Sequence, residues 1–141
     1  MTAPLDPPAV PNARASGLET LRLLAVEDHA IGRILLEAML GGLGIAPRLA
    51  ATGEEARLAM RREPFDVVLI DLGLPDVAGD ALARELADLT AGTPTLFVAV
   101  TGRARPTVLP EVFTDWLEKP FSVRDLHRLL LGLGSRLSRS A

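Results

Sequence analysis

Between Phe65 and Pro75 the chain reads Phe-Asp-Val-Val-Leu-Ile-Asp-Leu-Gly-Leu-Pro. Four consecutive apolar residues run straight into a carboxylate, and Gly73 and Pro75 then stop any further extension. A short, uninterrupted apolar run predicts a strand buried on both faces, which is the situation inside a parallel sheet. The residue that ends such a strand lies at the carboxyl edge, where open α/β folds place their sites. Asp71 is thus expected to be offered to solvent from a dry, rigid support. A second run, Leu21-Arg22-Leu23-Leu24-Ala25-Val26, also ends in acid, Glu27-Asp28. Two neighbouring strands delivering three carboxylates to one rim make a site for a hard cation.

Composition narrows the class. A chain of 141 residues fits one domain with a real core. Its 48% hydrophobic and 23% charged residues suit an ordinary globular protein. A net charge of −3 gives no footprint for direct nucleic-acid binding. The absence of cysteine removes disulfides, thiolate metal sites and Cys nucleophiles together. No apolar run is long enough to span a bilayer. The start, Met1-Thr2-Ala3-Pro4-Leu5-Asp6-Pro7-Pro8, lacks the basic and apolar regions of a signal peptide. A cytoplasmic protein that does not touch membranes is expected.

Residues 1–19, rich in Pro, Ala and small polar residues, are expected to form a flexible N-terminal tail ahead of a folded domain at 20–134. Residues 135–141 are expected to be a C-terminal tail. After the strand at 21–26, a helix is predicted over about 30–43, ended by Gly41, Gly42 and Gly44. Its apolar residues Ile31, Ile34, Leu35, Ala38 and Met39 recur at helical spacing. Residues 45–50 form a weak strand whose Pro47 places it at the sheet edge. Thr52, with Glu55 three positions later, predicts a capped helix start. Leu82, Leu86 and Leu89 mark one face of a third helix, and Pro94 introduces a strand at 95–100. A short strand at 115–118 precedes Lys119-Pro120. The last helix, about 122–133, has Ser122 as N-cap, Asp125 in its first turn, and Val123, Leu126, Leu129, Leu130 and Leu133 facing inward. Alternating strands and helices imply a doubly wound parallel sheet with helices on both faces.

Glu27, Asp28, Asp71, Thr101 and Lys119 each follow or close a predicted strand, so all five can meet on the carboxyl rim. Three acids packed together repel unless a divalent ion neutralises them, and Mg²⁺ accepts oxygen ligands while keeping several waters. Those open positions suit phosphoryl oxygens, for which Lys119 adds a point charge and Thr101 a neutral donor. Asp71 is then a nucleophile of the aspartyl-phosphate type. Singly, each residue has a plainer reading: Asp28 as a helix cap, Lys119 as a solvated loop charge, Thr101 as a turn residue. It is their joint placement at successive strand ends that favours a site. His29 reads as a loop residue at a helix start, His127 as a surface residue, and Arg103 and Arg105 as solvated loop charges.

In this arrangement the chain resembles the receiver domains of two-component response regulators, including those attached to hybrid histidine kinases. The match runs from about Leu21 to Leu133. It is carried by Glu27-Asp28, by Asp71 with Leu74-Pro75 and Gly79, by Thr101-Gly102, and by Lys119-Pro120-Phe121. The resemblance implies a flavodoxin-like five-stranded sheet in the order 2-1-3-4-5. It implies phosphorylation of Asp71 by a histidine kinase or histidine phosphotransfer protein. Mg²⁺ would be held by Asp28, Asp71 and the backbone carbonyl of Gly73, with Glu27 acting through water. Output would pass to an unknown downstream protein by contact or onward phosphotransfer. The only chemistry implied is the domain's own phosphorylation and dephosphorylation, so it is not an enzyme acting on a separate substrate. Thr101 and Trp116 fall at the switch positions, with Trp116 where the family often has Tyr or Phe. Gly73 carries no side chain to shield the phosphoryl group. The segment between Thr101 and Lys119 is short and holds Pro106 and Pro110, which predicts an irregular or shortened fourth helix.

Two other readings compete. A metal-dependent hydrolase with an Asp nucleophile needs a second acid two positions on, where this chain has Gly73. A degenerate receiver that binds partners without phosphorylation is favoured only by the shortened 102–118 segment.

Overall fold

The computed structural model of the protein describes residues 17–140. Five strands alternate with four helices: β1 (Leu23–Val26), α1 (Ala30–Gly42), β2 (Arg48–Ala50), α2 (Gly53–Arg62), β3 (Val67–Asp71), α3 (Gly79–Leu89), β4 (Leu96–Thr101), β5 (Phe113–Glu118) and α4 (Val123–Ser140). The sheet is entirely parallel in the order β2-β1-β3-β4-β5, as expected. Every residue of β1 and β3 is buried, which is what a central parallel strand with helices on both faces requires. Alternation of side chains splits the core in two. Leu23, Ala25, Val67, Leu69, Val98 and Val100 pack with Leu36 and Leu40 of α1 and Leu126, Leu130 and Leu133 of α4. Leu24, Val26, Val68, Ile70, Phe97 and Ala99 pack with Ala56 of α2 and Leu82, Ala83 and Leu86 of α3.

Local signals set two helix starts as predicted. Thr52 Oγ1 accepts from the Glu55 amide at 3.1 Å, while the Glu55 carboxylate reaches the Ala51 amide at 2.9 Å. Ser122 and Asp125 exchange side-chain-to-amide bonds of 3.1 and 2.9 Å. Each pair satisfies amides that the first turn leaves without partners.

The structure settles four places that the sequence reading left open or drew differently. Of the proposed 1–19 tail, residues 1–16 lie outside the described residues, but Leu18–Thr20 form a 3₁₀ turn whose Leu18 is only 2% exposed. The fold therefore begins before residue 20. The last helix runs on to Ser140, through the residues assigned to a C-terminal tail. No helix of any length lies between β4 and β5: residues 102–112 are bends and turns. On α1, the stripe Ile31–Ile34–Leu35 faces out, at 73%, 64% and 54% exposure, and Leu36 and Leu40 face the sheet instead.

β5 carries an irregularity that the sequence pattern did not disclose. Its register against β4 shifts between Phe97↔Phe113 and Val98↔Asp115. Residues three apart on a regular strand point to opposite faces. The extra residue brings Phe113 and Trp116 to the same face, where their rings meet edge to face at 6.4 Å.

Candidate functional site

β1, β3, β4 and β5 are consecutive in space apart from the outer β2 and end on one rim, so the residues at their carboxyl ends are neighbours. Glu27 follows β1 and extends its pairing, its amide donating to Ala50 O at 2.9 Å. Asp71 is the last residue of β3 and Thr101 the last of β4, and both are buried. Lys119 follows β5, with its amide tied to Thr101 O at 2.7 Å. That backbone bond sets the ammonium over the acids: Lys119 Nζ donates to Glu27 Oε1 at 2.8 Å and lies 3.9 Å from Asp71 Oδ2. Gly73 N donates to Asp71 Oδ1 at 2.9 Å. Thr101 Oγ1 accepts from the Arg103 amide at 3.2 Å, which leaves its O–H free to donate elsewhere.

The acids do not share the available charge equally. Burial works to raise Glu27, but Lys119, Asp71 and the His29 amide outweigh it and hold its carboxyl down at about 2. Burial raises Asp71 too, and the neighbouring Glu27 carboxylate adds to it against the Gly73 amide and Lys119, so Asp71 is pushed up to about 6. One ammonium is too little positive charge for this cluster. Asp28 adds a third carboxylate: its buried Oδ1 makes no aligned hydrogen bond, and its nearest polar neighbour is His29 Nδ1 at 3.1 Å. Buried oxygens short of both protons and cations fit a hard divalent ion.

The sequence reading brought Glu27, Asp28, Asp71, Thr101 and Lys119 to one rim, and all five are there. It named Gly79 as part of the motif but did not single out Gly32, Arg33 or Asp76, which help to hold them. Arg33 Nη1 donates to the carbonyls of both Glu27 and Asp28 at 2.9 Å, which fixes the loop carrying the acid pair. Gly32 lies so close to Glu27 that a Cβ there would meet Oε1 at 2.8 Å. A Cβ at Gly79 would meet Asp71 O at 2.5 Å, so only glycine lets α3 start directly behind the central acid. Asp76 caps α2 from a distance, accepting from Gly53 N at 3.0 Å and Glu54 N at 3.3 Å, and so ties down the loop after β3. A glycine and an arginine within one turn of an acid pair were the only available signal. His29, read as a loop residue, is the other omission: Glu27, Asp28, His29 and Asp71 each offer an atom within 4.8 Å of the others.

Trp116 is 9% exposed, and its indole N–H donates to Arg103 O at 3.0 Å. Its side chain thus faces inward and is tied to the loop that leaves Thr101. Arg105, expected to be a solvated charge, pairs with Asp115 at 2.5 Å.

Residues 23–131 match the response regulator receiver domain family. The chain belongs to that family. A CheY-like receiver domain from Methylobacillus flagellatus superimposes with a TM-score of 0.73 at 32% identity, covering 80% of this chain and 98% of that one. The receiver domain of a sensor histidine kinase from Pseudomonas aeruginosa, solved with a magnesium ion coordinated in its active site cleft, does so with a TM-score of 0.70 at 28% identity, covering 82% and 98%. Among curated relatives, the transcriptional regulatory protein TrcR of Mycobacterium tuberculosis is 33% identical over 127 residues, 89% of this receiver and 49% of that protein. The sensor histidine kinase GacS of Pseudomonas protegens is 30% identical over 131 residues, 84% of this receiver but 14% of that protein. This receiver therefore spans half or less of the length of these two relatives. No helix among its described residues is long and apolar enough to cross a membrane.

Proposed function

We propose that this receiver accepts a phosphoryl group on Asp71 from a phosphohistidine donor, with Mg²⁺ held by Asp28, Asp71 and the Gly73 carbonyl and by Glu27 through water. The observation that carries this reading is the crowding of acids on the rim: oxygens of Glu27, Asp28 and Asp71 lie within 4.8 Å of one another, and Asp71 is pushed up to about 6. The ion would supply Lewis-acid charge to keep Asp71 ionised and to neutralise phosphoryl oxygens. In the transfer, a carboxylate oxygen of Asp71 bonds to phosphorus as the phosphorus–nitrogen bond to the donor imidazole breaks, and the imidazole leaves with that electron pair. Lys119, already 3.9 Å from Asp71 Oδ2, neutralises the arriving phosphoryl group, and the uncommitted Thr101 O–H donates to it. Gly73, without a side chain, leaves that approach open. The chemistry is the domain's own phosphorylation and its reversal.

The donor would be a histidine kinase or histidine phosphotransfer protein. The exposed α1 residues Ile31, Ile34 and Leu35 border the rim. Behind them a cavity of about 460 Å³ is lined by Leu35, Met39 and Phe121, with Glu27 and Lys119 also on its wall. An apolar surface beside the acceptor suits a protein that must bring its histidine to Asp71. A second reading, a partner-binding receiver that works without phosphorylation, draws on the missing helix between β4 and β5 and the anchored Trp116.

Incubation with acetyl phosphate and Mg²⁺, followed by intact-mass spectrometry, distinguishes the two. One phosphoryl adduct is expected, dependent on the ion and absent in Asp71→Asn. An adduct that persists in Asp71→Asn would overturn the assignment of the acceptor. No adduct under any ionic condition would favour the second reading.

A further inference from the structure

His29 directly follows the acid pair and precedes α1, yet its imidazole does not cap that helix. Nδ1 lies 3.1 Å from Asp28 Oδ1 and 3.4 Å from Glu27 Oε2. The ring is 75% exposed, so no packing holds it over the rim. Nδ1 is within hydrogen-bonding reach of Glu27 Oε2, but its closer approach is to Asp28 Oδ1, where no aligned hydrogen bond forms. What the ring shares with the acids is one small volume: donor atoms of Glu27, Asp28, His29 and Asp71 all within 4.8 Å of one another.

We propose that His29 Nδ1 is a ligand of the divalent-cation site and makes it selective for nitrogen-accepting ions such as Co²⁺ and Zn²⁺ over Mg²⁺. This rests on the reading above that Asp28 and Asp71 hold a divalent ion. Mg²⁺ takes oxygen donors and dehydrates reluctantly, so an imidazole adds little to its binding. Zn²⁺ and its neighbours in the first transition row accept imidazole readily, and their affinities for mixed donor sets exceed those of the alkaline-earth ions. A site with the Asp28 and Asp71 carboxylates, the Gly73 carbonyl and one imidazole is therefore better matched to those ions than an all-oxygen rim. An ion gripped by the fourth donor also has one position fewer to offer phosphoryl oxygens, so the same pocket would bind such ions while accepting phosphoryl groups less readily with them.

The test is calorimetric titration of the full chain with MgCl₂ and, separately, CoCl₂, together with the visible spectrum of the Co²⁺ form. The variants are His29→Gln and, as a control on the other imidazole, His127→Gln. His29→Gln is expected to weaken Co²⁺ binding about tenfold or more and to shift the Co²⁺ bands, while Mg²⁺ affinity stays within about twofold. His127→Gln should match the parent for both ions. Unchanged Co²⁺ affinity and spectrum in His29→Gln would overturn the proposal. So would tighter binding of both ions, which would make the imidazole a competitor for the pocket, or equal loss of both, which would remove the selectivity. Failure of the parent itself to bind Mg²⁺ would instead overturn the underlying assignment of Asp28 and Asp71.

Discussion

Asp71 and Glu27 share one ammonium, which favours the charged form of both but stands closer to Glu27. Lys119 bonds Glu27 at 2.8 Å but stands 3.9 Å from Asp71, so Glu27 keeps its charge and Asp71 bears the repulsion. With divalent ions chelated, Asp71 titrates at about 6, against 3.8 for an unperturbed Asp. The folded protein thus holds this proton more tightly than the unfolded chain does. Its contribution to stability is complete below 3.8 and is lost as the pH rises through about 6. Glu27 behaves in the opposite sense: its contribution is present above 4.5 and is lost only as the pH falls through about 2. Asp71→Asn removes the first of these effects. In chelator at neutral pH, urea melts should show the variant more stable than the parent by about 2 kcal/mol, and the gain should vanish below pH 4. A gain of equal size at both pH values would mean that repulsion at the rim is not its cause.

At the scale of elements, α1 and the β4–β5 connection both expose apolar side chains, Ile31, Ile34 and Leu35 on the one and Val108 on the other. α1 has two apolar stripes. Leu36 and Leu40 belong to the core, while Ile31, Ile34 and Leu35 are left to solvent beside the rim. If a protein donor docks there, Ile34→Asp should slow phosphoryl transfer from a histidine phosphotransfer protein at least about tenfold by placing an unpaired charge in the contact. Transfer from acetyl phosphate, which needs no docking, should be unchanged. Rate measurements with both donors make the comparison, and equal slowing with both would point to damage at the rim instead. The β4–β5 connection is organised differently. Its first residues are tied by Trp116 Nε1 to Arg103 O and by Arg105 to Asp115, whereas Val108, 81% exposed, sits in its middle. Trp116 packs against Phe113 and holds a hydrogen bond, so any rotation of the indole must break both. Thr101 and Trp116 are thus linked through the backbone of Arg103, to which both are bonded.

For the molecule as a whole, the two cores are closed at their margins by pieces that lie outside the alternating pattern. Leu18, from the 3₁₀ turn before β1, fills the layer between the sheet, α1 and α4. Leu18→Ala should cost about 2–4 kcal/mol, the penalty for opening a cavity at a fully buried leucine. Leu89→Ala, at a position 49% exposed, should cost far less in the same urea titration. Comparable losses at the two sites would place Leu18 outside the cooperative unit. The other core ends at Phe113 and Trp116, where the register shift in β5 brings both rings over α3's side of the sheet.

Patterns confined to a few consecutive residues were decisive on their own. The apolar runs of β1 and β3, each closed by acid, determined two central strands and the rim they share, because burial on both faces leaves no alternation to misread. Thr52 with Glu55 and Ser122 with Asp125 determined helix starts, because a capping box is satisfied within its own turn. Pro47 flagged an edge strand, and β2 does lie at the edge, though it begins only after the proline, at Arg48. What the sequence left open depends on groups far apart in the chain. Either stripe of α1 has helical spacing, and only the position of the sheet selects Leu36 and Leu40. Leu18 looks like part of a polar tail until α4, more than a hundred residues on, is packed beside it. The proline-bearing segment after Thr101 is held without any helix, its Arg103 carbonyl bonded by a tryptophan thirteen residues on. His29 counts as a site residue only because the ends of β1 and β3 are side by side. The raised proton affinity of Asp71 follows from its burial and from the Glu27 carboxylate beside it, which pairs with Lys119 92 positions on. Electrostatics and burial act through space, so these features were decided only once the strands had paired.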